Sequence, residues 1–155
     1  MNATDAEIAK PFVQATKHVL TTMAMVEPTP GKPYVKKDAT AAGDVSAVVG
    51  LTGDKSGSIS ISFSKKCAVS IVKNMLGDDI QDIVQDTKDA VGEITNMISG
   101  QARAGLAQMG LAMQASTPTI IFGDNHSISH VTTGSVVAIP FTTPHGDFTV
   151  EFCFE

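Results

Sequence analysis

Glu93 and Asn96 stand three residues apart in the run Asp89-Ala-Val-Gly-Glu-Ile-Thr-Asn-Met-Ile-Ser-Gly100. On a helix that spacing sets the two side chains side by side on one face. One is an anionic acceptor, and the other is an amide that both donates and accepts hydrogen bonds. An amide takes no proton near pH 7, so it cannot serve as a general base, but it can fix the orientation of a water. The same spacing also suits an ordinary solvated helix face, and spacing alone does not separate the two.

The helix that must carry this pair is predicted from about Asp86 to Ala112. At 100° per residue, Val91, Ile94, Ile98, Ala102, Gly105 and Met109 form one buried stripe. Asp89, Glu93, Asn96 and Gly100 fall on the opposite side, with Ala107 beyond them and Arg103 at the margin. Solvated helix faces are usually filled with long Lys, Glu and Gln side chains. Here Gly92, Gly100, Ala104 and Ala107 leave the backbone accessible, at a helix-propensity cost of up to about 1 kcal/mol per glycine. A partner could lie flat against such a face.

Other elements are expected around it. A first helix is predicted over Thr4–Met25, with Thr4 and Glu7 in capping-box spacing and Pro11 imposing a late start or a kink. The segment from Glu27 to Pro33 reads as a connection. Val45, Ala47, Val49 and Leu51 alternate as a strand. Ile59, Ile61 and Phe63 alternate with Ser58, Ser60 and Ser62, which predicts a half-buried strand, and a glycine-containing hairpin loop joins the two.

Ser64 can cap a helix ending near Gly77. Strands are predicted over Val131–Thr133, Val136–Phe141 and Phe148–Phe154. The last has one apolar face and one, carrying Thr149, Glu151 and Cys153, free to meet solvent or a second subunit. Helices flanked by hairpin-linked strands indicate an α+β fold: a mostly antiparallel sheet covered on one face by helices, spanning 1–155 as a single domain.

Composition narrows the function. The chain has 155 residues, and 11 Lys+Arg against 16 Asp+Glu leave no basic excess for nucleic acid. Ala104–Gly123 carries no charge, but its glutamines, hydroxyls and Pro118 make it a helix end, a turn and an extended segment rather than a membrane span. Asp5 and Glu7 precede any apolar run, unlike a signal peptide, and Cys67 and Cys153 belong to no cysteine cluster, so a cytoplasmic, reducing location is expected. His126 and His130 are four apart, but no further ligand completes a metal set. Asp78, Asp79, Asp82 and Asp86 form an acidic cluster suited to a helix N-terminus or to docking. There is no Gly-x-Ser-x-Gly elbow and no phosphate-cradling glycine loop.

The Asp89…Glu93-x-x-Asn96 segment resembles the Asp/Ser-x-x-x-Glu-x-x-Asn signature of the CheC/CheX/FliY family of chemotaxis phosphatases, with Pro118 near the family's downstream proline. The resemblance extends to Pro11-Phe12, Gly31-Lys-Pro-Tyr34, Gly50-Leu-Thr-Gly53, Gly57–Phe63, Asn125–His130 and Val137–Phe141. Gln14-Ala-Thr-Lys17 stands where a second Glu-x-x-Asn would lie, so the chain is similar to the single-site CheX type.

The resemblance implies a CheC-like fold and hydrolysis of the phospho-aspartate of a CheY-like response regulator. Asn96 would position the attacking water and Glu93 would contact the regulator's active-site lysine. Asp89, Gly92 and Gly100 would form the partner-binding face, Asp89 either touching the regulator or stabilising the helix's first turn. It further implies a homodimer pairing sheet edges and no cofactor of its own, with Mg²⁺ on the phosphorylated regulator. The alternative is a non-catalytic regulator-binding or adaptor module using the same helix.

Overall fold

The computed structural model describes residues 3–36, 43–123 and 135–154. Along the chain run α1 (Ala3–Ala24), β1 (Thr29–Pro30), β2 (Tyr34–Val35), β3 (Val45–Gly53), β4 (Gly57–Phe63), α2 (Lys65–Leu76), a 3-10 turn (Gly77–Asp79), α3 (Ile83–Gln108), β5 (Met113–Ala115), β6 (Thr119–Phe122), β7 (Val137–Thr143) and β8 (Gly146–Phe154). The expected strand at 131–133 lies outside the described residues, as do His126 and His130.

The alternating apolar residues become rows across an antiparallel sheet of order β1-β7-β8-β4-β3-β5. Phe63 pairs with Phe148, which pairs with Phe141; Ile61 pairs with Val150 and Val150 with Ile139. The helices cover this apolar face. Phe12 of α1 stacks on Phe152 with ring centroids 4.9 Å apart, and Ile71 of α2 and Val91, Ile94, Ile98 and Leu106 of α3 complete one core. The α+β class expected from the sequence is therefore the observed one.

The sequence misleads about the other face of the sheet. β4 was expected to be half-buried and β8 to leave Thr149, Glu151 and Cys153 open, yet Ser58, Ser60, Ser62, Thr149, Glu151 and Cys153 are all buried. Small hydroxyls look like a solvent-facing row in sequence, but they can also be buried if they are hydrogen-bonded. Ser46 and Ser62 share a 2.6 Å hydrogen bond, and the Lys36 ammonium sits 2.8 Å from the Glu151 carboxylate.

Both outer strand pairs of the described sheet are broken by one extra residue. Ser116, Thr117 and Pro118 stand against only Val49 and Gly50, since Val48 pairs with Thr119 and Leu51 with Ala115. The Ser116 hydroxyl accepts from the Gly50 N–H at 2.9 Å. At the other edge, residues 31–33 stand against Ile139 and Pro140. These are β-bulges, features that bend an edge and stop its pairing.

The helices also differ from expectation in detail. α1 begins at Ala3, so Thr4 lies inside it and is not its cap, and it runs through Pro11 rather than starting after it. Space for the proline ring comes from Gly105 of α3, where a Cβ would lie 2.7 Å from Pro11 Cβ. Among the described residues, no helix is long and apolar enough to cross a membrane.

Candidate functional site

α3 starts at Ile83, three residues before the predicted start at Asp86, with Asp82 as its cap. The Asp82 carboxylate accepts from the Val84 and Gln85 N–H groups at 3.1 and 3.3 Å. Asp86 reaches back to accept from the Gln81 and Asp82 N–H groups at 2.9 and 3.2 Å. Two members of the acidic cluster are thereby explained as capping groups; Asp78 and Asp79 lie exposed in the 3-10 turn.

The helix also stops earlier than predicted. Gly110 adopts a left-handed φ of 88°, its N–H bonds the Ala107 carbonyl, and the Leu111 N–H bonds that of Leu106. This 6→1 and 5→2 pattern is a Schellman stop. Met109, placed on the buried stripe by periodicity, is the C-cap and is 45% exposed.

Between these ends the predicted facing holds. Val91, Ile94, Ile98 and Ala102 are buried, while Glu93 and Asn96 are exposed. Among the described residues, neither the Glu93 nor the Asn96 side chain has an intramolecular hydrogen bond or ion pair. Asp89 is exposed one turn before Glu93 and accepts from Gln85 Nε2 at 3.0 Å. With the helix starting at Ile83, Asp89 belongs to the second turn, where the dipole effect has faded; first-turn stabilisation falls to Asp86 instead.

The two glycines separate. Gly100 lies on the Glu93–Asn96 face, where an added Cβ would meet nothing nearer than Arg103 Nη2 at 3.9 Å. Gly92 turns to the flank toward β6, 3.7 Å from Ile120 Cδ1 by the same measure. On that flank Lys88 sits over the Phe122 ring, 5.5 Å from its centroid. The structure thus brings Asp89, Glu93, Asn96 and Gly100 onto one face and sets Gly92 at its border.

Elsewhere, His18 of α1 hydrogen-bonds Gln101 of α3 at 2.9 Å, while Gln14 and Lys17 are exposed on α1. Cys67 and Cys153 are buried, and neither forms a disulfide among the described residues. An exposed carboxylate and an exposed amide, whose side chains have no internal partners among the described residues, stand on a helix beside a glycine, a surface open to a partner docked against it rather than a cavity enclosing a small molecule.

The fold and this helix define an α+β domain with an outward-facing acid–amide pair. Residues 45–142 match the family model described as Chemotaxis phosphatase CheX. A solved structure of the chemotaxis protein CheX from Desulfovibrio desulfuricans is 68% identical, covers 96% of this chain and 99% of its own, and superposes with a TM-score of 0.92. The CheY-P phosphatase CheX of Thermotoga maritima is 25% identical over 139 residues, 89% of this chain and 88% of that protein. CheX in the CheX–CheY–BeF3–Mg²⁺ complex from Borrelia burgdorferi is 28% identical, with 96% and 97% of the two chains covered and a TM-score of 0.77. This chain belongs to the CheX family of chemotaxis phosphatases.

Proposed function

We propose that this chain hydrolyses the phospho-aspartate of a CheY-type response regulator, with Asn96 positioning the attacking water and Glu93 contacting the regulator's active-site lysine. The observation that carries the reading is the exposed Glu93–Asn96 pair, one turn apart and unengaged within the described chain, on a face kept low by Gly100. The Thermotoga relative named a CheY-P phosphatase supports it. So does the Borrelia CheX bound to CheY with beryllium trifluoride, a chemical mimic of a phosphoryl group.

An acyl phosphate is an activated anhydride, so little covalent chemistry remains for the protein. The water oxygen bonds phosphorus, the bond from phosphorus to the aspartyl oxygen breaks, and the carboxylate leaves with its electron pair while the water's proton passes to solvent or phosphate. Asn96 would accept a hydrogen bond from that water and hold its lone pair in line. Glu93, paired with a lysine ammonium, would fix the helix in register. Mg²⁺ would belong to the regulator, where carboxylates and the phosphoryl group hold it, and the phosphatase would contribute no cofactor of its own. Asp89 and Gly100 would line the contact, with Gly92 at its border.

The test is phosphate release from a phosphorylated CheY-type regulator. Wild type should accelerate it, and Asn96→Ala should lose about 100-fold or more, the scale of a misplaced reactant, while still binding the beryllofluoride-loaded regulator. Glu93→Ala should weaken both binding and turnover. A wild-type chain that binds the regulator and leaves its phosphate lifetime unchanged would replace this reading with the adaptor one.

We further propose a homodimer pairing sheet edges. Exposed Tyr34 and Val35 on β2 and Phe122 on β6 are apolar edge residues of the kind that a second copy covers. Light scattering at micromolar concentration should give twice the chain mass, and a monomer would refute it.

A further inference from the structure

Four buried side-chain polar atoms among the described residues lack a hydrogen-bond partner: Thr16 Oγ1, Ser60 Oγ, Ser99 Oγ and Arg103 Nε. Such groups are uncommon in folded proteins and each needs a reason. Two of them, Ser99 and Arg103, are one turn apart on α3. They lie on the side of Asn96 that borders β6.

Arg103 is the more informative, because the usual internal roles of an arginine are closed to it. The positions three and four residues away are Gly100 and Ser99 on one side and Leu106 and Ala107 on the other, so no acid is within helical pairing distance. Arg103 also falls short of the last turn of α3, which contains no basic residue, so the helix dipole gives it nothing. No ion pair among the described residues includes it.

Its placement nonetheless points toward the site. Arg103 follows Asn96 by seven residues, two turns later and about 20° around the helix. Helical side chains lean toward the N-terminus, and Arg103 Nη2 accordingly stands 3.9 Å from the position of a Gly100 Cβ. Gly100 has no side chain to block it. The rest of this face is acidic, carrying Asp86, Asp89 and Glu93, and Lys88 is held over Phe122 on the flank.

We infer that Arg103 is a docking residue for the regulator, its guanidinium receiving a carboxylate that lies within one helical turn of the phosphoacceptor. The inference rests on the proposed phosphatase reading and extends it. A protein-bound Mg²⁺ beside a phosphoryl group needs carboxylate ligands, so the surface meeting Asn96 is anionic at its border. A guanidinium presents a planar fork that matches a carboxylate bidentately. The buried Nε is closed to an outside partner, so the carboxylate meets the Nη groups beside Gly100, and docking places charges of opposite sign at the two ends of the site: Glu93 against a lysine, Arg103 against an acid.

The test compares Arg103→Ala, Arg103→Lys and Arg103→Glu with wild type in two assays. One is steady-state phosphate release; the other is titration of beryllofluoride-loaded regulator in rising salt. Circular dichroism and urea unfolding confirm that each variant folds. Arg103→Ala should raise KM and the dissociation constant about ten-fold or more, the scale of a lost charge-assisted bond, with kcat within two-fold and a shallower salt dependence. Arg103→Lys should recover part of the loss, and Arg103→Glu should bind more weakly than Ala. Unchanged KM and affinity in both Ala and Glu variants, or a fall in kcat alone, would overturn the inference. Binding reports on Arg103 whether or not turnover occurs: a wild type that releases no phosphate refutes the phosphatase reading, while weakened binding by the variants still sustains the docking role.

Discussion

The same substitution at two glycines of α3 should move stability in opposite directions. Glycine to alanine in a helix interior gains about 1 kcal/mol from backbone entropy. At Gly100 the new Cβ meets only Arg103 Nη2, at 3.9 Å, so Gly100→Ala should realise most of that gain. At Gly105 the new Cβ would lie 2.7 Å from Pro11 Cβ, where carbon atoms prefer about 3.5–4.0 Å. Pro11 cannot rotate away, because its Cβ belongs to a ring fixed to the backbone. The helices must part by about 1 Å, and overpacking of that kind costs about 1–3 kcal/mol.

Gly105→Ala should therefore be destabilised by roughly 1 kcal/mol net, and the two variants should differ by about 2 kcal/mol. In a chain of this size that separates their melting temperatures by about 4–8 °C. Urea and thermal unfolding followed by circular dichroism, at one fixed protein concentration because self-association would shift the midpoint, measure the difference. A Gly105→Ala protein as stable as Gly100→Ala would refute the close approach of α1 and α3. On the proposed reading the Gly100 variant should also bind the regulator more weakly despite its added stability, since its methyl stands on the proposed docking face.

Glu151→Ala should cost about 3–5 kcal/mol in urea unfolding, because it strands the Lys36 ammonium in a buried site; Lys36→Met combined with Glu151→Leu should recover most of the loss. Burial pushes the Cys67 thiol from 9.0 up to about 11, the nearby Asp147 charge adding to the rise and a hydrogen bond to Thr143 opposing it. The folded chain then holds a proton that the unfolded chain releases, so stability should fall as pH rises from about 9 to 11. The slope should be shallower in Cys67→Ala, and an equal slope would refute the assignment.

Where local chemistry decides structure, the sequence is informative. The β7–β8 hairpin was legible from phenylalanine alternation around Thr143-Pro-His-Gly146, and the Glu93–Asn96 face from helical periodicity together with its glycine. The misreadings have physical causes. Asp82 and Asp86 both satisfy capping chemistry, and exposed Ile83 and Val84 disguise the true first turn. Burial of the Ser58–Ser62 row depends on what covers the sheet, a matter of the whole fold rather than of the strand. β1 and β2 have two residues each, too few for a period, and Pro28, Pro30 and Pro33 in and beside them read as connection. Arg103 was visible only as a marginal residue, because its unsatisfied Nε is a property of packing.

The bulged edges bear on how the chain behaves when crowded. A strand approaching β1–β2 finds two paired residues, then three that do not fit, then two more; one approaching β5–β6 finds three and four, again interrupted. Neither offers an unbroken ladder for repeated addition, the step by which sheets grow into fibrils. In the proposed dimer, backbone pairing along these edges would be confined to short, interrupted stretches.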